Sequence, residues 1–145
     1  NLPVIKDLAA DMDPFFDKWT RASAIHHPSA TRHDPIVPVD TTTPKRVTAN
    51  EGIECINCAI CYAACDTVQG NKDYLGPAAL QRAWTLINDE RDGGRNTVLN
   101  AVSQADGCHN CHSMGSCTHY CPSELNPMKA IAGLKRETAK SWLKW

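Results

Sequence analysis

The sequence predicts an all-α fold, helices packed around a cysteine-rich centre behind an irregular N-terminal strap, and three observations lead there. Apolar residues beyond residue 75 recur at helical spacing between recognisable start and stop signals. No stretch alternates apolar and polar residues around a tight turn, so no hairpin is expected. All eight cysteines lie between Cys55 and Cys121, whereas residues 1–54 hold six of the nine prolines. That asymmetry divides the chain into a leader helix with a Pro-rich strap, residues 1–50, and a helical cysteine-bearing domain, residues 51–145.

In chain order, Leu2-Pro3-Val4-Ile5-Lys6 reads as a short extended piece. Asp13-Pro14 supplies an N-cap and a proline at the first helical position, predicting a helix from about Pro14 to Ile25. From His26 to Ala49, Pro28, Pro35, Pro38 and Pro44 punctuate text with neither strand nor helix period, which predicts an irregular strap over the surface. Gly76-Pro77 opens a strong helix with Leu80, Trp84 and Ile87 on one face, closed by Gly93-Gly94. A shorter helix carries Val98, Leu99 and Val102. Asn126-Pro127 begins a third, with Met128, Ile131, Leu134 and Thr138 on one face. Its Lys135, Arg136 and Lys140 fall toward the C-terminal half, where cations suit the helix dipole. These apolar stripes are read as core.

Fifteen basic and 16 acidic side chains leave a formal charge of -1, which disfavours a nucleic-acid partner. At 42% hydrophobic and 21% charged, the composition is that of an ordinary globular domain. No apolar run approaches the ~20 residues of a membrane-spanning helix, and the N-terminal segment lacks a signal-peptide core. The chain is not expected to cross a bilayer itself.

Cys55-x2-Cys58-x2-Cys61-x3-Cys65 packs four thiols into eleven residues. Neighbours on successive turns staple nothing as disulfides, and a chain this apolar does not need them. Four closely wound thiolates do suit a cluster of iron and sulfide: loop residues two apart converge on one cubane while the fourth cysteine points to another, the spacing of bacterial ferredoxins. An internal repeat at an offset of 56 residues supports this, matching Cys55 to Cys111, Cys61 to Cys117 and Cys65 to Cys121, which Pro122 follows. Only Cys58 lacks a thiol counterpart; Met114 stands there. Crossed ligation then assigns Cys55, Cys58, Cys61 and Cys121 to a 4Fe-4S cluster. Cys65, Cys111 and Cys117 are left for a second cluster that lacks a fourth thiolate and is read as 3Fe-4S, since a thioether replaces a thiolate poorly at an iron corner. Cys108 is out of register and is read as a buried thiol rather than a ligand.

Two other readings use the same residues. Cys108-His109-Asn110-Cys111-His112 spells the c-type haem signature, but haem would consume Cys111 and strand Cys65 and Cys117. Zinc could pair Cys55-x2-Cys58 with Cys108-x2-Cys111, yet the interval between them far exceeds zinc-ribbon spacing.

Taken together, Glu54-Cys55 through Cys65, Tyr74-Leu75-Gly76-Pro77-Ala78-Ala79, Asp89-Glu90-Arg91-Asp92, Cys111-His112-Ser113-Met114-Gly115-Ser116-Cys117 and Cys121-Pro122 resemble the iron-sulfur subunits of the succinate dehydrogenase and fumarate reductase family. Pro3 to Leu8 and Asp11 to Phe16 resemble the segment just before that family's C-terminal domain. The resemblance implies an alpha-helical ferredoxin-like domain wrapped around two clusters, with the same ligand sets. It further implies an FAD-containing flavoprotein partner, membrane anchor subunits and a quinone at the interface. A 2Fe-2S cluster is expected on a missing N-terminal half or a separate ferredoxin-domain chain, because no C-x4-C-x2-C run occurs here. His112 matches the family's quinone-site histidine; a hydrogen bond to cluster sulfur or backbone is the other reading. Asp66-Thr67-Val68-Gln69-Gly70 departs from the Pro-Ser and quinone-contacting Trp usual in succinate dehydrogenases, and lies nearer fumarate reductases.

The expected function is therefore electron transfer between a flavoprotein and membrane quinone, with no substrate chemistry on this chain. The expected location is peripheral, on the cytoplasmic side of the inner membrane or, in a eukaryote, the matrix side of the mitochondrial inner membrane. Alternatives are the ferredoxin-like subunit of a glycerol-phosphate dehydrogenase or heterodisulfide reductase, against which Met114 speaks, and a zinc-stabilised binding module.

Overall fold

The computed structural model describes residues 1–143, so Lys144 and Trp145 of the expected 51–145 domain lie outside the described residues. The chain is about half helical with very little sheet. It begins with β1 (Val4–Lys6) and β2 (Ala9–Ala10), then α1 (Asp13–Arg21), α2 (Pro44–Ile53), α3 (Ile60–Ala63) and α4 (Asp66–Gly70). The C-terminal half holds α5 (Gly76–Asn88), α6 (Arg95–Val102), a 3-10 turn at Cys108–Asn110, α7 (Ser116–His119) and α8 (Pro127–Leu143).

Helix α5 is the axis of the core. Eleven residues of its sequence, from Gly76 to Asn88, are buried, and α1, α2, α3, α6 and α8 all pack on it. A helix covered on every side must be apolar or small all round, which Ala78, Ala79, Leu80, Ala83, Leu86 and Ile87 satisfy. Helix α8 crosses at Gly133, where a Cβ would collide with the Trp84 indole, so glycine sets how closely the two axes approach. The leader is part of the same core: Phe15 of α1 is 1% exposed and meets Tyr62 of α3 edge to face at 5.8 Å.

Several sequence expectations need correction. β1 and β2 form an antiparallel hairpin where none was expected. It turns on Asp7 in the left-handed region (φ 52), and since both strands are largely exposed no buried face imposes alternation. The first helix ends at Arg21 rather than Ile25, because Ser23 turns left-handed and the Ala24 N–H returns to the Trp19 carbonyl at 3.0 Å. α5 ends at Asn88, and Gly93-Gly94 instead introduces α6, with Gly94 as its N-cap.

The strap is not irregular to its end. Its last stretch is α2, which runs across the boundary placed between residues 50 and 51. Thr43 caps it by accepting from the Arg46 N–H at 3.2 Å, and Pro44 occupies its first turn. Arg46, 2% exposed, then reaches 43 residues along the chain to Asp89, with N–O distances of 2.8 and 3.3 Å, and bonds Asn50 at 3.0 Å. The start of the strap is tied to the same loop. Asp92 accepts from the His27 N–H at 2.9 Å and lies 3.0 Å from the His26 ring, while the Gly93 N–H donates to the His27 carbonyl at 2.7 Å.

The paired side chains of Arg91 and Arg46 hold the Asp89 carboxyl well below its usual range, against the opposing pull of burial. A depressed folded value contributes stability that is complete above the unfolded carboxylate value near ~4 and disappears as pH falls toward the folded one. Asp89→Asn should therefore cost ~3 kcal/mol at neutral pH, since it strands a buried guanidinium, and should flatten the acid limb of the stability profile. Thermal unfolding followed at neutral and acid pH checks this; an unshifted midpoint at pH 7 would refute the role given to the pair.

Candidate metal centres

The two cysteine runs fold alike, position for position. In the first, Asn57 and Ala59 are left-handed (φ 57 and 60); in the second, Ser113 and Gly115 are (φ 59 and 86), each displaced by the same 56 residues as the cysteines. A single helical turn follows in both, α3 at Ile60–Ala63 and α7 at Ser116–His119. Even the closing bonds correspond. The Ala63 N–H donates to the Ala59 carbonyl at 2.9 Å as His119 does to Gly115 at 3.0 Å, and Cys65 donates to Tyr62 at 3.3 Å as Cys121 does to Thr118 at 3.4 Å.

Left-handed backbone costs a non-glycine residue ~1–2 kcal/mol, so three such residues in two short loops are a cost the rest of the fold must offset. The conformation reverses the chain within each run, and in the second the Ser113 N–H donates to Cys111 Sγ at 3.4 Å. Backbone N–H groups beside sulfur form a cradle for an anionic group.

The folded runs ring two cavities. Cys55, Cys58, Cys61 and Cys121 line one, together with Ala78 and Gln81 of α5. Cys65, Cys111, Cys117 and Met114 line the other, with Tyr74, Pro77 and Ile131. Helix α5 thus contributes a wall to each. Cys108 lines neither; it is fully buried, with Sγ 3.9 Å from Thr138 Oγ1 on α8. His109 bonds that same hydroxyl at 3.0 Å and stacks on Trp142, and His112 stands exposed beside Cys111. Lys135 of α8 fixes the second run by donating to the Cys111 carbonyl at 2.7 Å.

All eight cysteines are free thiols. Burial pushes the Cys61 thiol up to about 12, and the neighbouring Cys55, Cys117, Cys58 and Cys121 add to the rise. Burial likewise raises Cys117, with Cys111 and Cys65 contributing. Thiols this crowded do not ionise together unless positive charge enters among them, so the donor set suits a soft, highly charged metal cluster. Among the described residues no three His, Cys, Asp or Glu side chains converge on one point as a single-ion site requires.

Two buried polar groups on the cavity walls were not singled out from sequence. Gln81 is 6% exposed and its amide oxygen has no hydrogen-bond partner. Tyr74 is 1% exposed, and its hydroxyl faces the thiols of the second cavity. Burial first, then those neighbouring cysteines, raise its ionisation well above the usual phenol range. A polar residue among the buried positions of an otherwise apolar helix was the available signal for Gln81; Tyr74 sits in the turn before it and carried none.

Residues 54–126 match the family model of the 4Fe-4S dicluster domain. The chain is 34% identical to the succinate dehydrogenase iron-sulfur subunit of Paracoccus denitrificans, over 93% of this chain and 52% of that protein. It is also 34% identical to the mitochondrial succinate dehydrogenase [ubiquinone] iron-sulfur subunit 1 of Oryza sativa subsp. japonica, over 92% and 48% respectively. The fumarate reductase iron-sulfur subunit of Mycobacterium tuberculosis is 34% identical over 99% of this chain and 58% of its own length. The chain spans about half the length of the curated relatives it matches.

The repeat makes the left-handed positions separable by mutation. A Cβ at Gly115 meets no atom within 4 Å, so Gly115→Ala should cost only the conformational term, ~1 kcal/mol. Ala59→Gly relieves the same strain but loses a buried methyl worth ~0.8 kcal/mol, leaving stability nearly unchanged. Unfolding midpoints of the cluster-loaded chain check the asymmetry; equal effects would contradict it.

Proposed function

The chain belongs to the 4Fe-4S dicluster domain family, among the iron-sulfur subunits of succinate dehydrogenases and fumarate reductases, and from that premise we propose that it carries electrons between an FAD-containing flavoprotein subunit and membrane quinone. The observation that supports this best is the pair of thiol-lined cavities, one with four cysteines and one with three and Met114, set on either side of the start of α5.

In this reading Cys55, Cys58, Cys61 and Cys121 hold a 4Fe-4S cluster, and Cys65, Cys111 and Cys117 a 3Fe-4S cluster. The bound clusters supply one-electron chemistry; the protein supplies their position, their electrostatic surroundings and their shielding from water. Pro77 and Ala78, adjacent on α5, face different cavities, so the two centres are held a short, fixed distance apart by one rigid turn. His112 beside Cys111 is positioned to donate a hydrogen bond to a quinone carbonyl at an interface with membrane anchor subunits. The 2Fe-2S centre belongs to a ferredoxin domain elsewhere in the same polypeptide or on a separate chain.

Among the described residues no helix is long and apolar enough to cross a membrane. In this reading the chain attaches peripherally at the inner membrane through anchor subunits. The ferredoxin-like subunits of glycerol-phosphate dehydrogenase or heterodisulfide reductase type carry two complete cysteine runs, and Met114 separates this chain from them.

Electron paramagnetic resonance and iron quantification test the ligand sets. Cys121→Ser should abolish the four-iron signal and keep the three-iron one, whereas Cys108→Ser should keep both. Loss of the three-iron signal in Cys108→Ser would overturn the assignment.

Met114 carries the claim about cluster type. Met114→Cys should admit a fourth iron at the second site, replacing the three-iron signal of the oxidised protein with that of a reduced four-iron cluster. A four-iron cluster there in the unmutated chain would defeat the argument.

A further inference from the structure

The second cavity is walled by a residue to which the ligand assignment gives no task. Tyr74 precedes α5 in the turn 71–75, where its own N–H donates to the Asn71 carbonyl at 3.2 Å and the Leu75 N–H donates to the Asp106 carbonyl at 2.9 Å. Anchored on both sides, the ring is almost wholly buried, and its hydroxyl is carried into the space framed by Cys65, Cys111 and Cys117. Cys111 is one of the three thiols that share this cavity with it. A buried phenol hydroxyl needs a hydrogen-bond partner, and the cavity it lines holds three cysteine sulfurs.

We propose that Tyr74 is the potential-setting donor of the second centre, its O–H directed at Cys111 Sγ or an adjacent cluster sulfide. This rests on the functional reading above and adds to it a named residue for tuning the centre.

The physical argument is one of charge. Reduction adds one electron to a centre already anionic, and the added charge is spread over sulfurs. A hydrogen bond to sulfur strengthens as that charge grows, so it stabilises the reduced form more than the oxidised form and raises the potential. The low-dielectric setting enlarges the difference. Tyr74 acts only as a hydrogen-bond donor, polarising the centre without exchanging an electron or a proton with it.

The first cavity differs here. Its α5 wall presents the Gln81 amide, with no phenol among its lining residues. A donor confined to one centre separates the two potentials, which a cluster-wide property such as net protein charge would not do.

The test is a redox titration monitored by electron paramagnetic resonance on the cluster-loaded full chain in its complex. Tyr74→Phe keeps the ring and removes the donor; it should shift the one-electron reduction equilibrium of the second centre about tenfold toward the oxidised form, a fall of ~59 mV, while the four-iron centre stays put. Replacing Tyr74 by 3-fluorotyrosine, a stronger donor of nearly the same shape, should move the potential the other way. An unchanged potential in either variant, with the cluster present, overturns the proposal. If Tyr74→Phe loses its cluster, the fluorinated variant decides alone, since it retains the hydroxyl and the packing. Equal shifts at both centres would mean a general structural effect and would also overturn it. Absence of any cluster at Cys65, Cys111 and Cys117 in the unmutated chain would instead overturn the functional reading on which the proposal rests.

Discussion

Burial of α5 on all sides is the constraint from which the rest of the architecture follows. One face takes α2, another takes α8 through the Trp84–Gly133 contact, the start of the helix closes two cavities, and α1 reaches it from the leader. A helix so placed has no solvent face on which to put charge, and small residues must stand wherever a loop or a partner helix comes close. That accounts for the run of alanines at 78, 79 and 83 and for the scarcity of charge between Gly76 and Asn88, where Arg82 is the single ionisable residue. It also accounts for the ion pairs lying where they do. The first place charge can collect is just past the helix end, at Asp89, and the strap is fastened there.

The cysteine loops solve a different problem. Seven thiols must be brought around two cavities by segments too short to have a hydrophobic core. Left-handed residues at matched positions reverse the chain, and one helical turn after each reversal sets the next cysteine. The strain is tolerable because Tyr62 is wedged against Gly76 and Phe15 on one side, while Lys135 holds the Cys111 carbonyl on the other. Burial first, and the neighbouring cysteines after it, raise the ionisation of Cys61 and Cys117, so thiolates are disfavoured there unless positive charge balances them.

Much of this was legible in the sequence, for identifiable reasons. α5, α6 and α8 bury stripes or whole surfaces, and burial writes a period into the text. The repeat was legible because sulfur is a rare and unambiguous letter, and the backbone torsions at 57, 59, 113 and 115 follow the same offset. α2 was not legible. Its sequence, PKRVTANEGI, has almost no amphipathic contrast, and what holds it is a threonine cap plus an arginine whose partner lies 43 residues away. No local pattern reports a long-range ion pair. The hairpin at 4–10 escaped for the opposite reason: it buries so little that no constraint acts on its side chains.

A repeat that reproduces its backbone so faithfully poses the question of how two alike loops come to serve as unlike centres. The answer has to lie in side chains, because torsions, helical turns and closing hydrogen bonds all correspond. Three side chains suffice in the proposed reading. Met114 for Cys58 withdraws one ligand, and with it the corner that a fourth iron would occupy. Tyr74 in the second wall and Gln81 in the first place different hydrogen-bonding groups against the sulfurs. In that reading the common backbone keeps the centres at a fixed separation, so the distance an electron must cross is settled by the fold. The direction in which the electron prefers to sit is left to the few side chains that differ, and these can change without disturbing the turns that hold the thiols.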